Sequence, residues 1–218
     1  MNHSPPIVAK LASTQAILRT DRLVLRPLQQ DDAPIVQKLA GEKDVASTTR
    51  LIPHPYPPGA AEQWIGTLPE QYERAEAITW GVAMQAGPLL GTIRLVLCAS
   101  DNNAELGYWI GKPFWNNGYC TEAARAVIAY GFDVLGLERI FANYFARNPA
   151  SARVLIKLGL QQEGLLRRHR RKFGRYEDLI VCGLLKSEYQ KLKRQGTGSS
   201  SGERLPTPQV VSNLPPGQ

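Results

Sequence analysis

The clearest chemical signal in this chain lies where an apolar segment, a loop containing glycine and a helical run follow one another. Residues 104–110 predict a strand, Asn117 and Gly118 form the centre of the loop, and residues 121–134 predict a helix. The first turn of a helix carries backbone N–H groups that have no partner inside the helix, and the helix dipole favours negative charge there. We therefore expect this segment to bind a diphosphate without a basic side chain.

Glu105 is the candidate for a general base, because a carboxylate within an apolar strand is costly unless it has a partner or faces a cleft. Alternation along the strand places Glu105 on the same face as Gly107 and Trp109. An ion pair with a basic residue would account for the same carboxylate, so both interpretations stay open. Glu122 lies in the first turn of the predicted helix, where it would oppose an incoming diphosphate, and we expect its side chain to point aside.

A second polar segment, Asn148-Pro149-Ala150-Ser151, opens the next predicted helix. The amide of Asn148 can donate and accept hydrogen bonds toward a bound ligand. It can equally cap the helix, with Pro149 at the first helical position. Ser151 can cap the helix or donate a hydrogen bond to a departing thiolate.

These segments resemble the two coenzyme A motifs of the GNAT acetyltransferase superfamily. They are most similar to its RimJ/RimL-type branch, which contains ribosomal-protein N-terminal acetyltransferases. The resemblance covers residues 20–190 and is carried by segments 20–27, 104–110, 114–123 and 148–151 together with 157–159. It implies an α+β fold in which a mixed, mostly antiparallel central sheet is flanked by helices. The element order, an antiparallel run followed by β-α-β-α-β, favours the same fold class.

The resemblance implies acetyl-CoA as the acyl donor. The implied coenzyme-binding residues are Trp109, Ile110, Asn117, Gly118, Tyr119, Cys120, Thr121 and Asn148, and the candidate catalytic residues are Glu105 and Ser151. The loop departs from the branch at Asn116, where glycine is usual, and at Cys120, where alanine is usual. Asparagine tolerates a left-handed conformation, so we expect the turn to be kept. The tyrosine that many members use as a general acid is replaced by Leu155.

We expect an N-acetyltransferase in which a primary amine attacks the thioester directly within a ternary complex, without an acyl-enzyme on Cys120. The amine would belong to a protein N-terminus or to a small molecule. An α-amine with a pKa of about 7.7–8.0 is partly neutral near neutral pH, whereas a lysine side chain of about 10.4 is almost wholly charged, which favours a weakly basic acceptor. A non-catalytic acyl-CoA-binding or sensor protein of the same fold stays an alternative. A monomer and a homodimer are both compatible with the sequence.

One basic segment carries most of the net charge of +7. Its six cations lie within nine residues that contain no acid, and they are Arg167, Arg168, Arg170, Arg171, Lys172 and Arg175. A local excess on a nearly neutral domain favours contact with an anionic acceptor, so we assign Arg170, Arg171 and Lys172 to substrate binding. A solvated turn is the alternative. Aromatic residues only flank the cluster, which argues against a nucleic-acid-binding module.

The composition of the chain argues against several other classes of protein, namely membrane, secreted, metal-binding and disulfide-rich proteins. No run of 18 apolar residues is present for a membrane span, and the N-terminus lacks the charged and apolar regions of a secretory signal. Three widely spaced cysteines show no metal-ligand spacing, which predicts no metal and no disulfide framework and favours the cytoplasm. Residues 1–19 predict a loose leader, 20–193 the acetyltransferase domain, and 194–218 a disordered tail rich in Gly, Ser and Pro.

Overall fold

The computed structural model describes residues 10–198 and 209–211. Within them, nine strands form a single sheet. The strands are β1 (Ile17–Arg19), β2 (Leu23–Pro27), β3 (Ala77–Met84), β4 (Leu89–Cys98), β5 (Asn103–Ile110), β6 (Arg139–Phe145), β7 (Gln161–Lys172), β8 (Arg175–Leu185) and β9 (Gln209–Val211). Their order across the sheet is β7-β8-β6-β5-β4-β3-β2-β1-β9, and every neighbouring pair is antiparallel except β5 with β6.

Helices pack against both faces of this sheet. In the described part of the chain they are α1 (Ala33–Ala40), α2 (Lys43–Thr48), α3 (Ala60–Glu73), α4 (Tyr119–Ala129), α5 (Pro149–Lys157) and α6 (Lys186–Gly198). Alternation along β3 separates two cores: Trp80 and Val82 lie in the larger one with α4, whereas Ala83 lies in a smaller one with α1 and α3. This mixed, mostly antiparallel sheet with flanking helices confirms the α+β class predicted from the sequence.

The parallel pair of strands, β5 with β6, is paired over three residues only, and the last pair is Glu105 with Phe141. Beyond this point β5 continues to Ile110 paired with β4, while β6 continues to Phe145 paired with β8. Each strand keeps one complete ladder and loses the other, so the two strands diverge. The result is a gap in the middle of the sheet, and beyond Glu105 the edge of β5 that faces this gap has no neighbouring strand.

A charged pair fixes the turn between β2 and α1. The buried carboxylate of Asp32 accepts hydrogen bonds from the Arg26 guanidinium at 2.7 and 2.8 Å and from the backbone N–H of Gln29 at 2.8 Å. Burial alone would raise the pKa of Asp32. The hydrogen bonds and the charge of Arg26 outweigh that effect and hold the pKa below its ordinary value.

The structure corrects the predicted limits of the domain at both ends. Ile17–Arg19, which the sequence placed in a loose leader, forms β1, and its Leu18 is fully buried. The terminal helix α6 runs beyond residue 193, and Gln209–Val211 of the predicted tail pairs with β1. A strand of three residues is too short to show a periodic pattern, which is why the sequence analysis predicted neither β1 nor β9. Residues 1–9 of the predicted leader and residues 199–208 and 212–218 of the predicted tail lie outside the described residues.

Asp32→Asn should lower the free energy of unfolding at pH 7 by about 1–3 kcal/mol, because it leaves the Arg26 guanidinium without its charged partner. The pKa of Asp32 is depressed in the folded state, so its contribution is complete above the unfolded pKa of about 3.9. The contribution is lost as the pH falls through the folded value. Urea unfolding should therefore show the gap between wild type and variant narrowing below about pH 4.

Asp31→Asn is the matched control, because Asp31 is the exposed neighbour of Asp32. It should unfold like the wild type. An equal loss in the two variants, or a gap that does not change with pH, would contradict the account of the Arg26–Asp32 pair.

Candidate active site

A cleft of about 1000 Å³ passes through the gap between β5 and β6. On one face of the sheet it is bounded by α5 and by the loop before α4, and we call this the α4 side. On the other face it is bounded by α1, α2, α3 and the segment 49–57, and we call this the α1 side. One continuous space therefore joins the two faces through the sheet.

The loop before α4 adopts the conformation that its sequence predicts. Asn116 and Gly118 have positive φ angles of 63° and 78°, so this asparagine takes the left-handed conformation expected of it. The side-chain amide of Asn117 donates to the carbonyl of Trp115 at 2.9 Å and to that of Phe114 at 3.3 Å. These bonds close the turn and fix the backbone where the helix begins.

Helix α4 follows the loop directly and presents backbone N–H groups to the cleft. Its first intrahelical bond runs from the Glu122 N–H to the Gly118 carbonyl at 3.0 Å, so the preceding N–H groups have no partner within the helix. They belong to Tyr119, Cys120 and Thr121, which line the cleft. A diphosphate placed here would meet hydrogen-bond donors at the positive end of the helix dipole.

Glu122 turns away from these N–H groups, as the sequence predicts. Its Oε1 accepts from Thr20 Oγ1 at 2.6 Å and from the Arg22 N–H at 2.9 Å, and its Oε2 accepts from Arg22 Nε at 2.7 Å. Burial works to raise the pKa of Glu122, but these bonds outweigh it and the pKa lies below its ordinary value. The Arg22 guanidinium also lies over the Tyr119 ring, 4.6 Å from its centroid, so a cation stands beside the loop.

Glu105 lies where β5 and β6 separate, and it lines the cleft. Its Oε1 forms an ion pair with Arg50 Nη2 at 3.0 Å and accepts a hydrogen bond from Asn143 Nδ2 at 3.2 Å. The ion pair that the sequence left open is therefore present. The Glu105 side chain keeps 20% of its surface exposed and borders the cleft, so the ion pair does not remove it from reach of a substrate.

The start of α5 separates the roles of Asn148 and Ser151. The Asn148 side-chain oxygen accepts from the backbone N–H of Ser151 at 3.2 Å and Pro149 follows it, so Asn148 is the helix cap. Ser151 is not the cap, because its Oγ lies 2.8 Å from the hydroxyl oxygen of Tyr108. Burial raises the pKa of Tyr108 well above its ordinary value, so this hydroxyl stays protonated. Tyr108 was not among the predicted site residues.

Two further positions singled out by the sequence offer no reactive group. Burial raises the pKa of the Cys120 thiol to about 12, so the thiolate required for nucleophilic attack is scarce at neutral pH. Leu155, at the position of the missing tyrosine, is 1% exposed and belongs to the core. The chemistry of the cleft therefore falls to other side chains.

The basic segment forms the end of the β7–β8 hairpin and does not border the cleft. Arg170 and Arg171 are exposed strand residues, and Lys172 is buried with its Nζ donating to the Ile52 carbonyl at 2.6 Å. None of these three cations lines the cleft within the described structure. The long strand pairing carries Arg170 and Arg171 out to solvent, while Lys172 supports the segment 49–57. The predicted contact with substrate therefore has no geometric support.

Three arginines that the sequence analysis did not select line the cleft, namely Arg50, Arg94 and, in α5, Arg153. Arg94 lies between Ile93 and Leu95 in a predicted strand, and an arginine in such an apolar setting is a signal that would have found it. It faces Gly107 across the β4–β5 ladder. Arg50 follows α2, a helix of six residues whose sequence shows no clear period.

Within residues 10–198 and 209–211, no group of three His, Cys, Asp or Glu side chains is placed to hold a metal ion. In the same part of the chain, no helix has the length and apolar character needed to cross a membrane.

Residues 22–161 match the model of the acetyltransferase (GNAT) domain. The chain belongs to the GNAT acetyltransferase family. The uncharacterized N-acetyltransferase YoaA of Bacillus subtilis (strain 168) is 35% identical over 172 residues, which are 78% of this chain and 97% of that protein. The ribosomal protein uS5-alanine N-acetyltransferase of Escherichia coli (strain K12) is 27% identical over 174 residues, which are 77% of this chain and 89% of that protein.

A solved structure supports the same fold. Mycobacterium smegmatis RimJ, in complex with CoA-disulfide, superposes with a TM-score of 0.70 at 20% identity, covering 80% of this chain and 91% of that one. This likeness shows the fold alone. The branch predicted from the motifs, RimJ/RimL-like, is supported by the uS5-alanine enzyme and by the putative ribosomal N-acetyltransferase YdaF of Bacillus subtilis (strain 168), which is 32% identical over 61% of this chain and 75% of that protein. The protein is thus a GNAT N-acetyltransferase.

Gly118→Val should weaken acetyl-CoA binding by about tenfold or more, because a β-branched residue is strained at a φ of 78° and the loop must hold its shape for the α4 N–H groups to meet a diphosphate. Isothermal titration with acetyl-CoA measures the affinity, and circular dichroism checks that the variant is folded. A folded variant with unchanged affinity would show that the diphosphate binds elsewhere.

Gly174→Val supplies the matched control. Gly174 has a similar φ of 79° in the β7–β8 turn, and no atom lies within 4 Å of an added Cβ. The control should carry the same backbone strain and leave the affinity for acetyl-CoA unchanged.

Proposed function

We propose that this N-acetyltransferase moves the acetyl group of acetyl-CoA to a primary amine by direct attack within a ternary complex. The observation that carries the proposal is the cleft through the sheet, which has N–H donors beyond one end of β5 and the Glu105 carboxylate at the other. Such a cleft allows a coenzyme on the α4 side and an amine from the α1 side to reach the same point. The high pKa of Cys120 favours this route over a covalent intermediate on the protein.

The donor would lie along the open edge of β5. Its diphosphate would accept hydrogen bonds from the N–H groups of Tyr119, Cys120 and Thr121, and its amide-rich arm would take the place of the missing strand beside residues 106–110. The six residues from Glu105 to Ile110 span about 17 Å in an extended strand. A thioester at the far end of the arm would therefore lie near Glu105. The RimJ structure with CoA-disulfide supports a coenzyme in a fold of this kind.

Glu105 is proposed as the general base for the acceptor. The attacking amine must be neutral, and the bond to the acetyl carbon forms as the nitrogen loses a proton. The Glu105 carboxylate, held by Arg50 and Asn143, would accept that proton directly or through one water. An α-amine needs little of this assistance near neutral pH, because its pKa of about 7.7–8.0 leaves it partly neutral.

Tyr108 and Ser151 are proposed to stabilise the leaving group. When the carbon–sulfur bond breaks, the electron pair goes to sulfur and CoA leaves as a thiolate. A hydrogen bond from Ser151 Oγ would stabilise that thiolate, and the protonated Tyr108 hydroxyl, whose oxygen lies 2.8 Å from Ser151 Oγ, would then donate to Ser151. This pair would do the work of the tyrosine acid that Leu155 replaces.

An acetylation screen tests the proposed function. Wild-type protein is incubated with acetyl-CoA and with panels of small amines and peptide N-termini, and the release of free CoA thiol is followed together with the mass of the product. We expect CoA release that depends on an amine. Binding of acetyl-CoA without release for every amine would contradict the proposal and would leave the non-catalytic acyl-CoA-binding interpretation.

Glu105→Gln should lower kcat at pH 7 by about 10²-fold or more, as expected when a general base is lost. Raising the pH should restore part of the rate, because a larger fraction of the amine is then neutral without assistance. The measurement is a pH profile of kcat, taken with the acceptor that the screen identifies.

Glu163→Gln is the matched control, since Glu163 is bound by Arg139 in another ion pair on the sheet and does not line the cleft. It should keep the wild-type rate and pH profile. Full activity of Glu105→Gln at pH 7 would assign that carboxylate to the ion pair alone.

A further inference from the structure

Arg94 occupies a place on the α1 side of the cleft that the proposed reaction does not use. It lies on β4 directly opposite Gly107 of β5, and its Cγ lies 3.4 Å from the point that a Cβ on Gly107 would take. Because Gly107 has no side chain, the aliphatic part of Arg94 can lie flat against the strand. The guanidinium group then borders the cleft.

The bonding of Arg94 is incomplete. Its Nε is buried and makes no hydrogen bond within the described structure. Burial lowers the pKa of Arg94, the neighbouring Glu105 raises it, and the nearby Arg50 lowers it further. A guanidinium taken out of water without full hydrogen bonding is costly, so this site favours a partner that supplies negative charge.

The charges around Arg94 are not balanced by the protein. Among the described residues that line the cleft, Glu105 is the only acidic one, whereas Arg50 and Arg94 are both close to it. Glu105 Oε1 already forms an ion pair with Arg50 and accepts a hydrogen bond from Asn143. Among the described residues that line the α1 side there is therefore one more cation than anion, and Arg94 is the cation without an ion-paired carboxylate.

The register of the ladder sets the distance between Arg94 and the proposed base. Val96 lies opposite Glu105 and Arg94 lies opposite Gly107, so Arg94 and Glu105 are diagonal neighbours on adjacent strands. Such neighbours are separated by about 7–8 Å along the sheet. An amine beside Glu105 and an anion beside Arg94 would thus be a few bonds apart in one molecule.

We propose that the acceptor carries a carboxylate a few bonds from its primary amine and that Arg94, together with Arg50, binds this carboxylate. The inference rests on the proposed function, because it names the substrate class of the same cleft. Guanidinium groups bind carboxylates through two parallel hydrogen bonds, which would orient the amine toward Glu105. Free amino acids and peptide N-termini with an early acidic residue share this chemistry. Polyamines, which bring only positive charge, would be poor acceptors.

Two matched pairs of acceptors test the proposal. The first is alanine against alaninamide, and the second is the C-terminally amidated peptide Ala-Glu-Ala against Ala-Gln-Ala; spermine is the cationic comparison. The peptide pair holds the surroundings of the α-amine nearly constant, so a difference there reports the carboxylate itself. With saturating acetyl-CoA, the carboxylate member of at least one pair should have a KM lower by about 10-fold or more, since hydrogen bonds to charged groups are strong. The pair that shows the preference distinguishes a free amino acid from a peptide.

Arg94→Met and Arg94→Lys complete the test. Methionine keeps a long unbranched side chain without charge, so it should raise the KM of the carboxylate acceptor toward that of the neutral one. Lysine should keep part of the preference because it keeps the charge. If Arg94→Met fails to fold, the KM values of the carboxylate and neutral acceptors, compared between the wild type and Arg94→Lys, test the assignment.

Several results would overturn the acceptor assignment. The assignment would be wrong if the wild type gave equal KM values within both pairs, if spermine were the best acceptor, or if folded Arg94→Met kept the full preference for the carboxylate. Transfer to neutral amines would still support the proposed function in each case. No CoA release with any acceptor would contradict the proposed function and the acceptor assignment with it.

Discussion

A β-strand has two edges, and β5 and β6 are each fully paired along one of them, β5 with β4 and β6 with β8. On the two edges that face each other, the parallel pairing ends at Glu105. The gap lies between these two unpaired edges, and the groups of the candidate site are placed around it. Because β5 and β6 are parallel, the loop before α4 and the start of α5 follow their carboxyl ends at one edge of the sheet. Gly118 and Asn148 are brought to one cleft for this reason.

The two glutamates near the cleft show how the same side chain acquires different roles. Glu122 is bound by Thr20 and Arg22, and it is thereby turned away from the helix N-terminus. Glu105 is also paired with an arginine, yet it borders the cleft because the neighbouring strand departs at that residue. The difference lies in the backbone around each carboxylate, since both carboxylates have an arginine as partner.

Local chemistry was predictable from the sequence, and long-range contact was not. The left-handed Asn116, the cap at Asn148 and the strand carrying Glu105 follow from propensity and alternation over a few neighbouring residues. The bond between Tyr108 and Ser151 joins residues 43 positions apart, and that between Lys172 and Ile52 joins residues 120 positions apart. Such contacts depend on the register between strands and on how segments pass over the sheet, which no local pattern contains. For this reason the sequence alone did not place Arg170, Arg171 and Lys172 outside the lining of the cleft.

The cleft opens on both faces of the sheet, and this has a consequence for the order of events in a catalytic cycle. A coenzyme on the α4 side and an acceptor on the α1 side would enter and leave through separate openings of the cleft. Neither bound molecule would block the entry or exit of the other, so the architecture is suited to random addition of substrates and independent release of products. A cleft with a single opening would impose an ordered binding of the two substrates. In a cleft with two openings, the concentration and affinity of each substrate would determine which one binds first.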